Sequence, residues 1–238
     1  MTSTSVLSVT GLSRRYGPVF ALGGVSFALA RGEVLGLIGP NGAGKTTLMR
    51  CLAGFEAPDA GRIEFAGGRT PRKAAFYLPD GATPYPELTV RRVLALFTAA
   101  FGQTADAADR ARAALGLDAV ADKQAGALSK GYRRRLLLAI ALLAPQPLLL
   151  LDEPFDGLDV HQTRAVVALL RDLTETGRSL LVSVHQLRDA ERICDRFALL
   201  RDGRLLALGD LETLRAQAGV AHGGLEEVFL ALTEPALV

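Results

Sequence analysis

The stretch "GPNGAGKTT", Gly39 to Thr47, concentrates more chemical capability than any other nine residues of this 238-residue chain. It fits the phosphate-binding pattern G-x-x-x-x-G-K-[ST] and lies where that loop must lie, after an apolar run and before a helical one. The backbone from Gly39 through Pro40, Asn41, Gly42, Ala43 and Gly44 to Thr47 would form a cradle, its glycines letting consecutive N–H groups converge on phosphate oxygens. The Lys45 ammonium would reach the β and γ oxygens, and the Thr46 hydroxyl can ligate Mg2+. A second stretch, "LLLLDEP", Leu148 to Pro154, is four leucines ending in two carboxylates. Leucines of that kind bury as a strand, which leaves Asp152 and Glu153 at the carboxyl edge of a sheet, where open α/β folds hold ligands. There Asp152 would hold Mg2+ through water, and Glu153 would orient and deprotonate an attacking water.

A third stretch, "ALSKGYRRRL", Ala127 to Leu136, is an odd way to begin a helix, because "LLLAIALL" behind it, Leu136 to Leu143, is apolar on every face. A helix that must be buried opens with a hydroxyl at Ser129, a cation at Lys130 and a glycine at Gly131. All three stand at the positive end of the helix dipole, and this asks for an anion. Lysine is otherwise scarce, occurring only at Lys45, Lys73, Lys123 and Lys130. His185 closes the strand-like "LLVSVH" and could meet a phosphate from a neighbouring strand end; His161 and His222 read as solvent-facing. Tyr16 is either a stacking platform or a partly buried strand-end side chain. The run Arg133 to Arg135 reads most simply as a solvated or packing face.

Strand and helix alternation supplies the scaffold these groups need. Short strands are expected in Val6 to Ile38, with turns at Gly17-Pro18 and Arg31-Gly32, then a helix over Lys45 to Leu52 and strands at Arg62 to Phe65 and Ala74 to Leu78. Helical spacing takes over at Thr89 to Phe101, with Thr89 as N-cap, at Ala105 to Leu115, and from Ser129 to Leu143. Alternation resumes with a strand at Leu148 to Asp152, a helix over Val160 to Thr176, a strand at Leu180 to Val184 and a short helix after His185. A hairpin about Asp202-Gly203 and a closing helix in "LEEVFLALT" follow. The pattern predicts an α/β fold with a parallel sheet, organised as a single domain over 1–238 with a helical insert at about 80–145.

With Lys+Arg 27 against Asp+Glu 25, the net charge of +2 and the dispersed basic residues give no reason to expect a nucleic-acid or lipid surface. Cys51 and Cys194 lack metal-ligand or redox spacing and read as buried thiols. No apolar run reaches the roughly 18–20 residues that span a bilayer, so a chain soluble by itself is expected.

In chain order, Tyr16, "GPNGAGKTT", "LSKGY", "LLLLDEP", the Gly157 to Asp159 "GLD" and His185 resemble the A-loop, Walker A, signature, Walker B, D-loop and H-loop of the ATP-binding cassette (ABC) ATPases. The resemblance implies the P-loop NTPase fold of that family, with a mainly parallel core sheet, an N-terminal antiparallel β-subdomain and an inserted α-helical signature subdomain. It implies adenine stacking by Tyr16, ATP binding by Gly39 to Thr47, and catalysis by Glu153, His185 and Lys45. Mg2+ would sit at Thr46 and Asp152. Ser129, Lys130 and Gly131 would act on the ATP of a second ABC subunit, identical or not, with Asp159 crossing the dimer, so the anion at the helix start belongs to the partner's nucleotide. Two positions depart from the common pattern. The signature carries Lys130, and the Q-loop glutamine is replaced by Asp80, a possible further Mg2+ ligand that cannot donate a hydrogen bond.

A single cassette resembles the ATP-hydrolysing motor of a transporter, peripheral on the cytoplasmic face of the membrane and driving a separate integral membrane permease subunit. The "YLPD" and "LSKGY" variants resemble bacterial exporter cassettes. The competing expectation is a soluble regulatory ABC-type ATPase acting on a nucleic-acid or protein partner.

Overall fold

The computed structural model describes residues 5–233. Two sheets organise it. β1 (Ser5–Tyr16) pairs antiparallel with β2 (Val19–Ala30) and with β4 (Ala60–Phe65), giving a three-stranded sheet in the order β2-β1-β4. The second sheet has six strands in the order β5-β6-β7-β3-β8-β9, formed by β3 (Val34–Ile38), β5 (Ala75–Leu78), β6 (Leu148–Asp152), β7 (Ser179–Ser183), β8 (Arg196–Arg201) and β9 (Arg204–Gly209). Its first five strands run parallel, and β9 folds back antiparallel as the expected hairpin.

The helices are α1 (Lys45–Leu52), α2 (Pro71–Ala74), α3 (Val90–Ala100), α4 (Ala105–Ala114), α5 (Lys130–Leu143), α6 (Val160–Glu175), α7 (Leu187–Ile193), α8 (Leu211–Ala218) and α9 (Leu225–Thr233). Every residue of β3, β6 and β7 is buried, because helices cover one face and α1 with the antiparallel sheet covers the other. That double cover is why these strands read as continuous apolar runs. Along them the side chains alternate between two cores. Leu149 and Leu151 join one with the helices α3 to α7, whereas Leu148 and Leu150 join Leu48, Met49 and Leu52 of α1 and Leu7 and Leu22 of the antiparallel sheet.

Helix α5 buries Leu136 through Ala141 and Leu143, as its uniform apolarity requires. Each fully buried leucine contributes roughly 1.5–3 kcal/mol. Its carboxyl end is closed by Arg178, which donates to the carbonyl of Ala144 at 2.9 Å and whose guanidinium burial pulls down to about 10. The arginine run is a packing feature: Arg133 donates to the Leu128 carbonyl, Arg135 closes α4 at the Leu115 carbonyl, and Arg134 is buried.

Local boundaries differ from the sequence expectation, and one helix is added. The strand expected from Ala74 begins at Ala75, because Pro71 sits in the first turn of the short helix α2, where its missing N–H costs nothing. Helix α8 was legible but not anticipated: Asp210 accepts from the Thr213 N–H at 2.8 Å as its N-cap, and Gly219 closes it at φ 67.

Candidate nucleotide-binding and hydrolysis site

The parallel strand order brings four loop starts to one edge. Asp80 follows β5, Asp152 and Glu153 end β6, Ser183 ends β7 with His185 just beyond, and Gly39 opens the loop after β3. Register fixes their level, since Asp152 pairs with Ser183 and Ser183 with Leu37. Between them lies a cavity of about 260 Å³ lined by residues 41–47 together with Ala21, Asp80, Asp152, Glu153 and His185.

The phosphate loop ends at Gly44, whose φ of 101 lies in the left-handed region and whose Cβ position would collide with the Ala21 carbonyl, so no other residue fits. Lys45 is buried and its ammonium donates to the carbonyls of Gly39 at 2.6 Å and Pro40 at 3.1 Å. Burial lowers its pKa, and the carboxylates of Glu153 and Asp152 oppose that. Thr46 Oγ1 donates to Asp152 Oδ2 at 2.9 Å, and Tyr77 Oη donates to the same oxygen at 3.2 Å. A hydroxyl and a carboxylate in contact are a donor set suited to Mg2+, which keeps several waters and takes its other oxygens from phosphates.

Glu153 has a φ of 54, an uncommon conformation for a residue with a side chain and one that the surroundings must hold. Its N–H donates to Ser183 Oγ at 2.9 Å. The Ser183 hydroxyl in turn lies 2.6 Å from Asp152 Oδ1 and 3.3 Å from Glu153 Oε1. Burial raises the Glu153 pKa, while His185 and Lys45 hold it back. His185 Nε2 is 3.0 Å from Glu153 Oε1. The carboxylate thus faces the cavity beside an imidazole, with its backbone anchored from the neighbouring strand.

Other expected site residues lie elsewhere. Tyr16 does not line the cavity; it is exposed, its hydroxyl bonds to Glu56, and the Arg14 guanidinium lies 5.1 Å from its ring centre, occupying one face. Ser129 caps α5 by accepting from the Tyr132 N–H at 3.4 Å, and Ser129, Lys130 and Gly131 are outside the cavity. The Lys130 ammonium pairs with Asp156 at 2.7 Å, and its stem lies against Gly157, where a Cβ would come within 2.8 Å of it. Asp159 is the N-cap of α6, its carboxylate accepting from the Gln162 N–H at 2.8 Å. Asp80 does line the cavity, and its Oδ1 is bonded to the buried Arg134 guanidinium. His161 and His222 are exposed, as read.

Sequence reasoning missed Ser183, Tyr77 and Arg134. Ser183 carried a signal, being a hydroxyl inside an apolar strand two residues before His185. Arg134 carried none that separates it from Arg133 and Arg135, because only the packing of α5 sets which of three arginines turns inward.

Comparison with known proteins agrees with this geometry. The family model described as "ABC transporter" matches residues 22–156. A relative named Nod factor export ATP-binding protein I, from Rhizobium sp. (strain N33), is 37% identical over 98% of this chain and 82% of its own length. A protein with the same name from Burkholderia orbicola (strain AU 1054) is 38% identical over 87% of this chain and 71% of its own. A solved ATP-binding subunit of an ABC transporter superposes with a TM-score of 0.89 at 33% identity, covering 97% of this chain and 100% of that one. The fold is also that of a dimeric bacterial ABC transporter cassette, with a TM-score of 0.79 at 22% identity over 86% of this chain and 98% of that one. With Walker A and Walker B meeting through Thr46 and Asp152, and with relatives that span almost all of its length, the chain belongs to the ABC transporter family of ATP-binding, ATP-hydrolysing subunits.

Proposed function

We propose that this chain is the motor subunit of a bacterial exporter, pairing with a second cassette around two ATP molecules and driving a separate membrane-spanning subunit from the cytoplasmic face. The observation that carries this is a separation within one chain. Thr46, Asp152, Glu153 and His185 share one cavity, while at the start of α5 the exposed Ser129 and Lys130 and the half-buried Gly131 lie outside it. A helix start built for an anion and turned away from its own chain's phosphate site is completed by a second chain's nucleotide. The dimeric cassette of the same fold and the relatives named for export support the assembly and its direction. Among the described residues no helix is long and apolar enough to cross a membrane, so the membrane path is assigned to another subunit.

In this reading the N–H groups of Gly42 to Thr47 and the Lys45 ammonium take the β and γ phosphates, Lys45 exchanging the Gly39 and Pro40 carbonyls for phosphate oxygens. Thr46 and Asp152 would hold Mg2+, which would supply positive charge to offset that of the phosphates. Glu153 accepts the proton of the attacking water as it adds to the γ-phosphorus, and ADP leaves. His185 fixes the Glu153 carboxylate from 3.0 Å and is placed to reach the γ-phosphate. Ser129, Lys130 and Gly131 contact the partner's ATP, with Asp159 at the dimer seam, and Lys130 must leave Asp156 to do so. Tyr16 keeps one ring face free of Arg14 for adenine.

The test is gentle-detergent purification of the tagged chain from its host. Recovery of an integral membrane protein supports the exporter reading. Recovery with ribosomes or DNA and no membrane protein overturns it in favour of a soluble regulatory ATPase.

A further inference from the structure

We propose that Arg134 is a positioning residue for Glu153 and that Asp80 serves as its counter-ion; this rests on Glu153 being the hydrolytic base. The peptide joining Asp152 to Glu153 is held at both ends. Its N–H donates to Ser183 Oγ at 2.9 Å, and its carbonyl accepts from Arg134 Nη1 at 3.2 Å. Glu153 follows that peptide at φ 54, so the plane that Ser183 and Arg134 fix sets the direction in which the carboxylate leaves the strand.

Arg134 is 4% exposed, and its second nitrogen bonds to the Asp80 carboxylate. A guanidinium that is always charged cannot be buried without a partner. Asp80, half exposed in the loop after β5, supplies the negative charge from one side. The pair accounts for the departure from glutamine at this position, because an amide would leave the guanidinium uncompensated. It also links α5, whose first residues are Ser129, Lys130 and Gly131, to the peptide before the base through one rigid side chain.

Arg134→Gln removes the fork, and Arg134→Lys keeps the charge but cannot bridge two acceptors rigidly. Steady-state ATPase, Mg2+ half-saturation and equilibrium ATP binding should be measured on the full chain beside wild type. The expected result for Arg134→Gln is a fall in kcat of about 10-fold to 100-fold, within the contribution of a positioned base, with KM, Mg2+ half-saturation and ATP affinity each within threefold. Arg134→Lys should recover part of kcat. If Asp80→Asn raises the Mg2+ half-saturation tenfold, Asp80 is a metal ligand and the assignment fails. An Arg134→Gln kcat equal to wild type overturns it as well.

Should any of the single variants fold poorly, Asp80→Asn with Arg134→Met removes both charges together and leaves none uncompensated. That folded double variant must still show the kcat loss. A wild-type chain that does not hydrolyse ATP would instead overturn the functional reading beneath the proposal.

Discussion

Removing the Ser183 hydroxyl tests how the catalytic edge is held. Ser183 is fully buried at the end of β7 and serves three groups: it accepts from the Glu153 N–H at 2.9 Å, and its single proton goes to Asp152 Oδ1 at 2.6 Å in preference to Glu153 Oε1 at 3.3 Å. Ser183→Ala leaves a backbone donor and a carboxylate oxygen unpartnered in the interior. A neutral bond contributes about 1 kcal/mol and one to a charged group about 1.5–3 kcal/mol, so the expected loss is about 3 kcal/mol. For a chain of this size that lowers Tm by about 6–12 °C. The Asp152 Oδ2 contacts with Thr46 and Tyr77 survive, so Mg2+ and ATP binding should change by less than about threefold. Glu153 keeps His185, and its peptide keeps the Arg134 bond but loses its N–H anchor, so kcat should fall about 10-fold to 100-fold, less than deletion of the base. Calorimetry, equilibrium ATP binding and steady-state ATPase on one preparation give all three quantities. A Tm within 2 °C of wild type, or ATP affinity lost in proportion to kcat, would refute the reasoning.

Gly44→Ala forces a side chain into the left-handed region and against the Ala21 carbonyl, so it should lower Tm by several degrees and raise the KM for ATP at least about tenfold, measurable by calorimetry and ATPase assay. The pH profile of kcat/KM should be bell-shaped. Glu153 acts ionised and burial raises its pKa, so activity is lost on acidification at a midpoint above the ordinary value of about 4.3. Lys45 acts protonated and burial lowers its pKa, so the alkaline limb falls below the ordinary value of about 10.4. Mixing a Ser129→Arg chain with a Lys45→Ala chain should restore activity through the one mixed site that carries neither defect; an inactive mixture despite proven exchange of chains contradicts action across the dimer.

Much of this was readable beforehand because local rules and tertiary demand agree. Leu148 to Leu151 had to be a doubly covered strand, and a parallel order then had to place Asp152 and Glu153 at the edge that receives Gly39 to Thr47. Thr89 and Ser129 cap their helices through hydroxyls at the expected positions. Long-range side-chain pairing was not readable. Nothing near Asp80 announces a guanidinium 54 residues away, and nothing near Lys130 announces Asp156. Tyr16 shows the same limit: its exposure follows from its place at the end of β1, whereas its bonding to Glu56 and its cover by Arg14 depend on how β1 meets the loop after α1.

The central claim, that ATP bound at this edge is hydrolysed with Glu153 as base, is tested most directly by Glu153→Gln, which keeps the shape of the side chain and removes its basicity. Equilibrium ATP binding and turnover should be measured together, with ATP-dependent dimerisation followed by light scattering. The account predicts ATP affinity within a few-fold of wild type, a stable ATP-bound dimer, and turnover reduced by roughly 100-fold to 10,000-fold. A folded Glu153→Gln chain that turns over ATP at the wild-type rate would contradict it.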